Sequence, residues 1–85
     1  IGLARTLSIE LGRFGVRVNC LLPGYIDTDI MANIPKEKRT ALRRSIPMKR
    51  FGKAEEVSGA VAWLVSDDST YMTGQTLVLD GGLSA

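Results

Sequence analysis

Apolar positions along this chain fall at helical spacing, then alternate, then return to helical spacing before a last alternating run. Ile1, Ala4, Leu7 and Leu11, with Leu3 alongside, predict a helix over residues 1–13 with one broad buried stripe. Gly12 and Gly15 suit its end, because glycine tolerates the left-handed cap. Glu10 and Arg13 are i,i+3 neighbours on its surface. Val16 to Leu22 then reads as a strand, with Val16, Val18, Cys20 and Leu22 on one face and Arg17, Asn19 and Leu21 on the other. Pro23-Gly24 ends it: proline lacks the ladder N–H, and glycine permits a turn and leaves room beside it.

Residues 29–45 are irregular and strongly charged, one or two short helices interrupted at Pro35. Met31, Ile34, Leu42 and Ile46 offer an intermittent apolar edge, as in a covering segment held by few contacts. Pro47 and Gly52 mark an ordered turn with Phe51 as its anchor. Gly52 to Ser66 has the strongest helical pattern, with Val57, Ala60, Val61, Leu64 and Val65 at i, i+3, i+4, i+7 and i+8. Glu55 and Glu56 lie in its first turn, where negative charge complements the helix dipole. Ser66 to Ser69 is its polar exit. After a Thr73-Gly74 turn, Gln75 to Asp80 reads as a second strand, ended by Gly81-Gly82. A helix, a strand, a helix and a strand in this order make an α/β arrangement.

The chemistry concentrates at the end of the first strand. In open parallel α/β sheets, ligands sit beyond the carboxyl ends of the strands. Asn19, inside a buried strand, needs a hydrogen-bond partner. It reads as a tie to a neighbouring loop rather than a ligand contact.

Composition removes several functions. The 85 residues are 45% apolar, which is not a disordered composition. No apolar run approaches the ~20 residues of a membrane helix, and no signal peptide is visible. Histidine is absent and Cys20 is the one cysteine, so neither the commonest base nor a transition-metal ligand set is expected. A buried structural thiol at Cys20 points to a reducing, cytoplasmic-type compartment. The net charge is only +2, yet Lys36, Lys38, Arg39, Arg43, Arg44, Lys49, Arg50 and Lys53 crowd one segment, opposed there by Glu37. No aromatic residues interleave these cations and no nucleic-acid motif is present, so no nucleic-acid partner is expected. The chain opens on Ile1 within a helical pattern, as the tail of a longer protein would.

RVNCLLPGYIDTD, the helix start GKAEEV and the closing TGQTLVLDGG, in this order, resemble the short-chain dehydrogenase/reductase family, closest to its 3-oxoacyl-carrier-protein reductases. The resemblance implies that residues 1–85 are the C-terminal third of a single dinucleotide-binding domain, part of a Rossmann-type doubly wound parallel sheet. Residues 16–22 would be its sixth strand and residues 75–79 its seventh. It implies NADP or NAD as cofactor, with Pro23 and Gly24 beside the nicotinamide ring. The Ile26 backbone would meet the carboxamide, and the Thr28 hydroxyl would bond the carboxamide or pyrophosphate. Fixing the presented ring face needs a paired donor and acceptor on the carboxamide. Thr28 could instead cap the next helix, as could Asp27 or Asp29.

The family's phosphate loop and its catalytic Ser, Tyr and Lys have no counterpart among residues 1–85, so no catalytic residue is assigned. Neither Tyr25 nor Tyr71 is followed four residues later by Lys. Ala54 and Ile9 depart from the pattern: carrier-protein reductases often have a basic residue where Ile9 stands. The implied activity is hydride transfer between nicotinamide and a carbonyl or alcohol substrate, small or a 3-oxoacyl thioester. The basic segment would be a lid that steers an anionic substrate or is simply a solvated surface. A homodimer or homotetramer is implied, with Gly59, Trp63 and the final LSA at interfaces. The alternative is a truncated or degenerate, non-catalytic member serving in oligomer assembly.

Overall fold

The computed structural model describes residues 1–85. Its elements are α1 (Gly2–Leu11), β1 (Cys20–Pro23), α2 (Asp29–Ala32), α3 (Lys36–Ser45), α4 (Ala54–Leu64) and β2 (Thr76–Leu79), with single 3₁₀ turns at Gly12–Phe14 and Asp67–Ser69. β1 and β2 pair in parallel, Cys20 opposite Thr76 and Pro23 opposite Leu79. A parallel pair with helices in the crossover is the α/β arrangement expected.

Two sequence expectations for α1 change. Gly12 continues in right-handed helical geometry at φ −58°. Gly15 takes the left-handed cap at φ +74°, and its N–H donates to the Gly12 carbonyl. The buried stripe also runs elsewhere. Ala4, Leu7 and Leu11 are half-buried and Ser8 is buried, whereas Leu3 is 73% exposed. The stripe centres on Ser8 because α1 rests on the Thr73-Gly74 turn, where a Cβ on Gly74 would come within 2.6 Å of the Ser8 hydroxyl. Arg13 lies over the Phe14 ring, 4.7 Å from its centre, and forms no ion pair with Glu10.

β1 is shorter at its start than residues 16–22. The ladder begins where a partner is available: the Gly74 N–H donates to the Val18 carbonyl and the Cys20 N–H to the Gln75 carbonyl. Residues 16–19 are held by side chains instead. The Arg17 guanidinium donates to the carbonyls of Leu64 (2.7 Å), Ser69 (2.8 Å) and Met72 (3.1 Å). The Val18 N–H donates to the Thr73 hydroxyl. Asn19 donates to the Met72 carbonyl and accepts from the Gln75 N–H, which is the structural tie expected of it. Ser69, read in the sequence as part of a polar exit, is buried at 4% exposure and donates to the carbonyls closing α4.

The charged stretch divides at Pro35 as expected, into α2 and α3. Its buried points are Met31 and Ile46, the latter 1% exposed. Ile46 seats on the end of β2. Gly81 and Gly82 have φ of +65° and +95°, and a Cβ on Gly81 would meet Ile46 Cγ2 at 2.8 Å. Those two positions need glycine for both conformation and space. α4 is two residues shorter than expected at each end, with Val57, Ala60 and Leu64 half-buried and Val61 and Val65 exposed.

Little of the chain is enclosed. It measures 50 × 23 × 21 Å with a radius of gyration of 15.7 Å, against about 12 Å for a compact chain of this length. Its 6216 Å² of accessible surface compares with about 4,900 Å² for a compact monomer of its mass. Only Ser8, Met31, Ile46 and Ser69 are buried.

Candidate functional site

The run from Pro23 to Thr28 leaves the carboxyl end of β1, and the structure brings all four candidate residues onto it. Pro23 closes the strand opposite Leu79. The Gly24 N–H extends the ladder by one bond, to the Leu79 carbonyl at 2.8 Å. Gly24 lacks the positive φ that a turn glycine would show. It is glycine because a Cβ there would lie 2.7 Å from Asp80 Cβ and 2.9 Å from its Cα. The missing side chain lets the two strand ends converge.

Beyond Gly24 the backbone is gripped from one side. The Gly52 N–H donates to the Tyr25 carbonyl (2.9 Å), and the Asp27 N–H donates to the Gly52 carbonyl (2.8 Å). Ile26 and Gly52 thus form an isolated parallel bridge. In such a bridge the middle residue turns its own N–H and C=O to the other side. Those two groups of Ile26 have no hydrogen-bond partner in the chain. Thr28 occupies the N-cap position of α2, with extended φ and ψ of −130° and 171°. Its hydroxyl makes no capping bond, so the capping role weighed from sequence is filled by backbone alone.

One donor–acceptor pair on Ile26 and one free hydroxyl two residues on are what a planar carboxamide needs from a protein: an acceptor for its NH₂ and a donor for its oxygen. The chain's residues fit that group. No cluster of three or more His, Cys, Asp or Glu is gathered for a metal ion.

Sequence reading missed the groups that hold this corner. Glu56 accepts from both guanidinium nitrogens of Arg50, at 2.7 and 3.0 Å, and from the Lys53 N–H at 3.0 Å. Hydrogen bonding from Arg50, then from the Lys53 backbone, pulls the Glu56 carboxyl down to about 2. The three-residue spacing of Lys53 and Glu56 at a helix start is half of a capping box and was the available signal. Asp80 accepts from the N–H groups of Gly82 and Ser84, and hydrogen bonding from Ser84 foremost holds its carboxyl below the usual range. A cavity of about 260 Å³ lies behind the bridge, between Ile26, Gly52, Val57 and the end of β2.

The basic segment flanks the corner. Phe51 meets Tyr25 edge-on with ring centres 6.4 Å apart, and Arg43 lies over the same Phe51 ring at 5.6 Å. The anchor role expected of Phe51 is therefore met. Lys49, at φ +59°, donates from Nζ to the Arg44 carbonyl at the end of α3. Arg50–Glu56 is the one ion pair in the chain, leaving the charges of Lys36, Lys38, Arg39 and Arg44 without a carboxylate partner. No helix is long and apolar enough to cross a membrane.

The chain matches known proteins over nearly its whole length. The family model described as enoyl-(acyl carrier protein) reductase matches residues 1–84. The chain is 42% identical over 83 residues to a 3-oxoacyl-[acyl-carrier-protein] reductase of Thermotoga maritima, covering 98% of this chain and 34% of that protein. It is 45% identical over 83 residues to glucose 1-dehydrogenase 2 of Bacillus subtilis, covering 96% of this chain and 32% of the relative. A crystal structure of a 3-oxoacyl-[acyl-carrier protein] reductase from Brucella melitensis superposes with a TM-score of 0.95 at 37% identity, over 99% of this chain and 31% of that one. The chain thus spans about a third of the length of the curated relatives it matches.

Proposed function

This chain belongs to the short-chain dehydrogenase/reductase family, and on that premise we propose that the intact protein is an NAD(P)-dependent oxidoreductase acting on a carbonyl or alcohol substrate. Residues 1–85 serve as the C-terminal third of its single dinucleotide-binding domain. The observation that carries the reading is the Ile26 backbone, whose N–H and C=O are both free while the flanking Tyr25 C=O and Asp27 N–H are tied to Gly52. Bound nicotinamide supplies or accepts the hydride. The chain's part is to hold the carboxamide between the Ile26 peptide groups and the Thr28 hydroxyl, with Pro23 and Gly24 walling the ring. The groups that move the proton are not among these residues.

The substrate is a carbonyl or alcohol compound, and the cations of α3 that lack a carboxylate partner favour an anionic one such as a 3-oxoacyl thioester. One relative's name specifies a carrier-protein thioester and another's a sugar, so family membership leaves both open. Ile9, 81% exposed on α1, places an apolar side chain where carrier-protein reductases often have a basic one. The assembly proposed for the intact protein is a homodimer or homotetramer. The lone thiol of Cys20 supports a reducing, cytoplasmic-type compartment. The non-catalytic alternative has no observation in its favour.

Titrating the intact protein with NADH and NADPH, read by calorimetry, tests the assignment and tells which nucleotide is used. Thr28→Val should weaken binding about tenfold, the loss of one buried hydrogen bond, at unchanged melting temperature. Wild-type affinity in that variant, or a bound ring far from Ile26 and Thr28 in crystals, would overturn the site.

A further inference from the structure

Gly52 sits apart from the residues that would touch a cofactor, yet it controls how the nearest of them is presented. It is the sole partner of the Tyr25 carbonyl and the Asp27 N–H, the two backbone groups on either side of Ile26. Its φ is outside the left-handed region, so conformation does not demand glycine there. What a Cβ on Gly52 would meet is the Ile26 side chain, at 2.8 Å from Cδ1, while the Tyr25 carbonyl oxygen would stay at an ordinary 3.8 Å. The two hydrogen bonds set the spacing of the backbones, and a side chain at Gly52 would act on Ile26 by displacing its side chain.

Gly52 is itself held from both sides. Arg50, two residues before it, grips Glu56, four residues after it, through two guanidinium nitrogens, and also donates to the Phe51 carbonyl at 3.1 Å. Glu56 closes the loop by accepting from the Lys53 N–H. A two-point guanidinium–carboxylate contact fixes orientation as well as distance. Phe51, between the two, packs edge-on against Tyr25. The first turn of α4 is therefore a brace, and Gly52 is the point at which it touches the corner.

Resting on the nicotinamide reading above, we propose that Gly52, held by the Arg50–Glu56 pair, is a positioning residue that sets the direction of the Ile26 N–H and C=O and so the preference for a ring bearing a carboxamide. Displacing Gly52 moves the Tyr25 and Asp27 peptides together and turns the Ile26 peptide groups between them. Affinity for the rest of the dinucleotide does not pass through this contact. The brace therefore governs a ratio of affinities rather than affinity at large.

The test compares, by calorimetry on the intact protein, the nucleotide it binds with the 3-acetylpyridine analogue of the same nucleotide. The analogue keeps the carbonyl oxygen but carries a methyl group in place of the amide NH₂, so it cannot donate to the Ile26 carbonyl. Wild type should favour the carboxamide about tenfold, the cost of one hydrogen bond left unmade. Gly52→Val, whose branched side chain must push Ile26 away, should bring the ratio close to one. Gly52→Val/Ile26→Ala, in which the obstructing Cδ1 is gone, should recover most of it. Glu56→Gln should reduce the ratio about threefold, since it weakens a charge-assisted pair without emptying the site. Equal losses of affinity for both nucleotides would mark Gly52 as merely structural and overturn the proposal. So would an unchanged ratio in Gly52→Val, or in Glu56→Gln should the valine variant not fold. A wild-type protein that binds both nucleotides equally would instead refute the carboxamide site itself.

Discussion

The seam along β1 and the basic segment that follows it are chain neighbours held in opposite ways. From Arg17 to Asp27 nearly every step is tied to a partner distant in sequence: Arg17 to three carbonyls, Asn19 to two backbone groups, Gly24 to Leu79, and Tyr25 and Asp27 to Gly52. From Asp29 to Arg50 the hydrogen bonds are mostly within single helices, and the hold on the rest of the molecule is gathered at its far end: Ile46 on the glycine pair, the Met48 N–H on the Gly81 carbonyl, the Arg50–Glu56 pair and the Tyr25–Phe51–Arg43 stack. On the function proposed above, the first is a surface whose directions must not drift and the second a cover whose position must be able to change. Backbone hydrogen bonds with fixed partners give the first, and a few apolar anchors under a charged exterior give the second.

The contrast can be broken most severely at Arg17. Arg17→Ala leaves the carbonyls of Leu64, Ser69 and Met72 without their charged donor, and unfolding of the intact protein by denaturant should show a loss of roughly 3 kcal/mol. Gly24→Ala comes next. Its Cβ would meet backbone and Cβ atoms of Asp80 that cannot rotate away, so about 2 kcal/mol should be lost, within the range for overpacking. On the basic segment the same experiments should give the reverse. Lys38→Gln/Arg44→Gln should change stability by less than about 0.5 kcal/mol, as exposed substitutions do. It should nevertheless flatten the salt dependence of kcat/KM for an anionic substrate, measured between low and physiological ionic strength, because steering falls with screening. Salt dependence identical in wild type and variant would remove any steering by α3.

Much of the seam was legible because its signals are local. Pro23-Gly24 marks a strand end in any context, Asn19 in an apolar run demands a partner, and paired glycines at 81 and 82 announce backbone that other residues avoid. What escaped depends on parts of the chain that meet only after folding. β1 starts at Cys20 because its partner strand starts at Thr76, a fact about register that no pattern in residues 16–22 contains. Ser69 in an acidic run reads as surface, yet it closes the end of α4. Gly24 reads in the sequence as glycine for a turn and for room beside it; the structure shows no positive φ there and uses the room for closeness to Asp80. Gly52 carried no signal beyond that of an ordinary turn. Leu3, Val61 and Val65 follow the helical period but lie exposed, since periodicity tells which face should be covered and not what covers it.

Both ends of the basic segment are pinned: its entry through Asp27 to Gly52, just ahead of α4, and its return through Ile46 to Gly81, just beyond β2. A stretch fastened in this manner can grow, shrink or change its residues between the two pins at small thermodynamic penalty, since closing a longer loop adds only about 0.6 kcal/mol per doubling of its length. A single cofactor edge can thereby stay constant while what is admitted above it is rewritten. New chemistry of recognition would come to this architecture by exchanging residues 29–45, with the strand ends untouched.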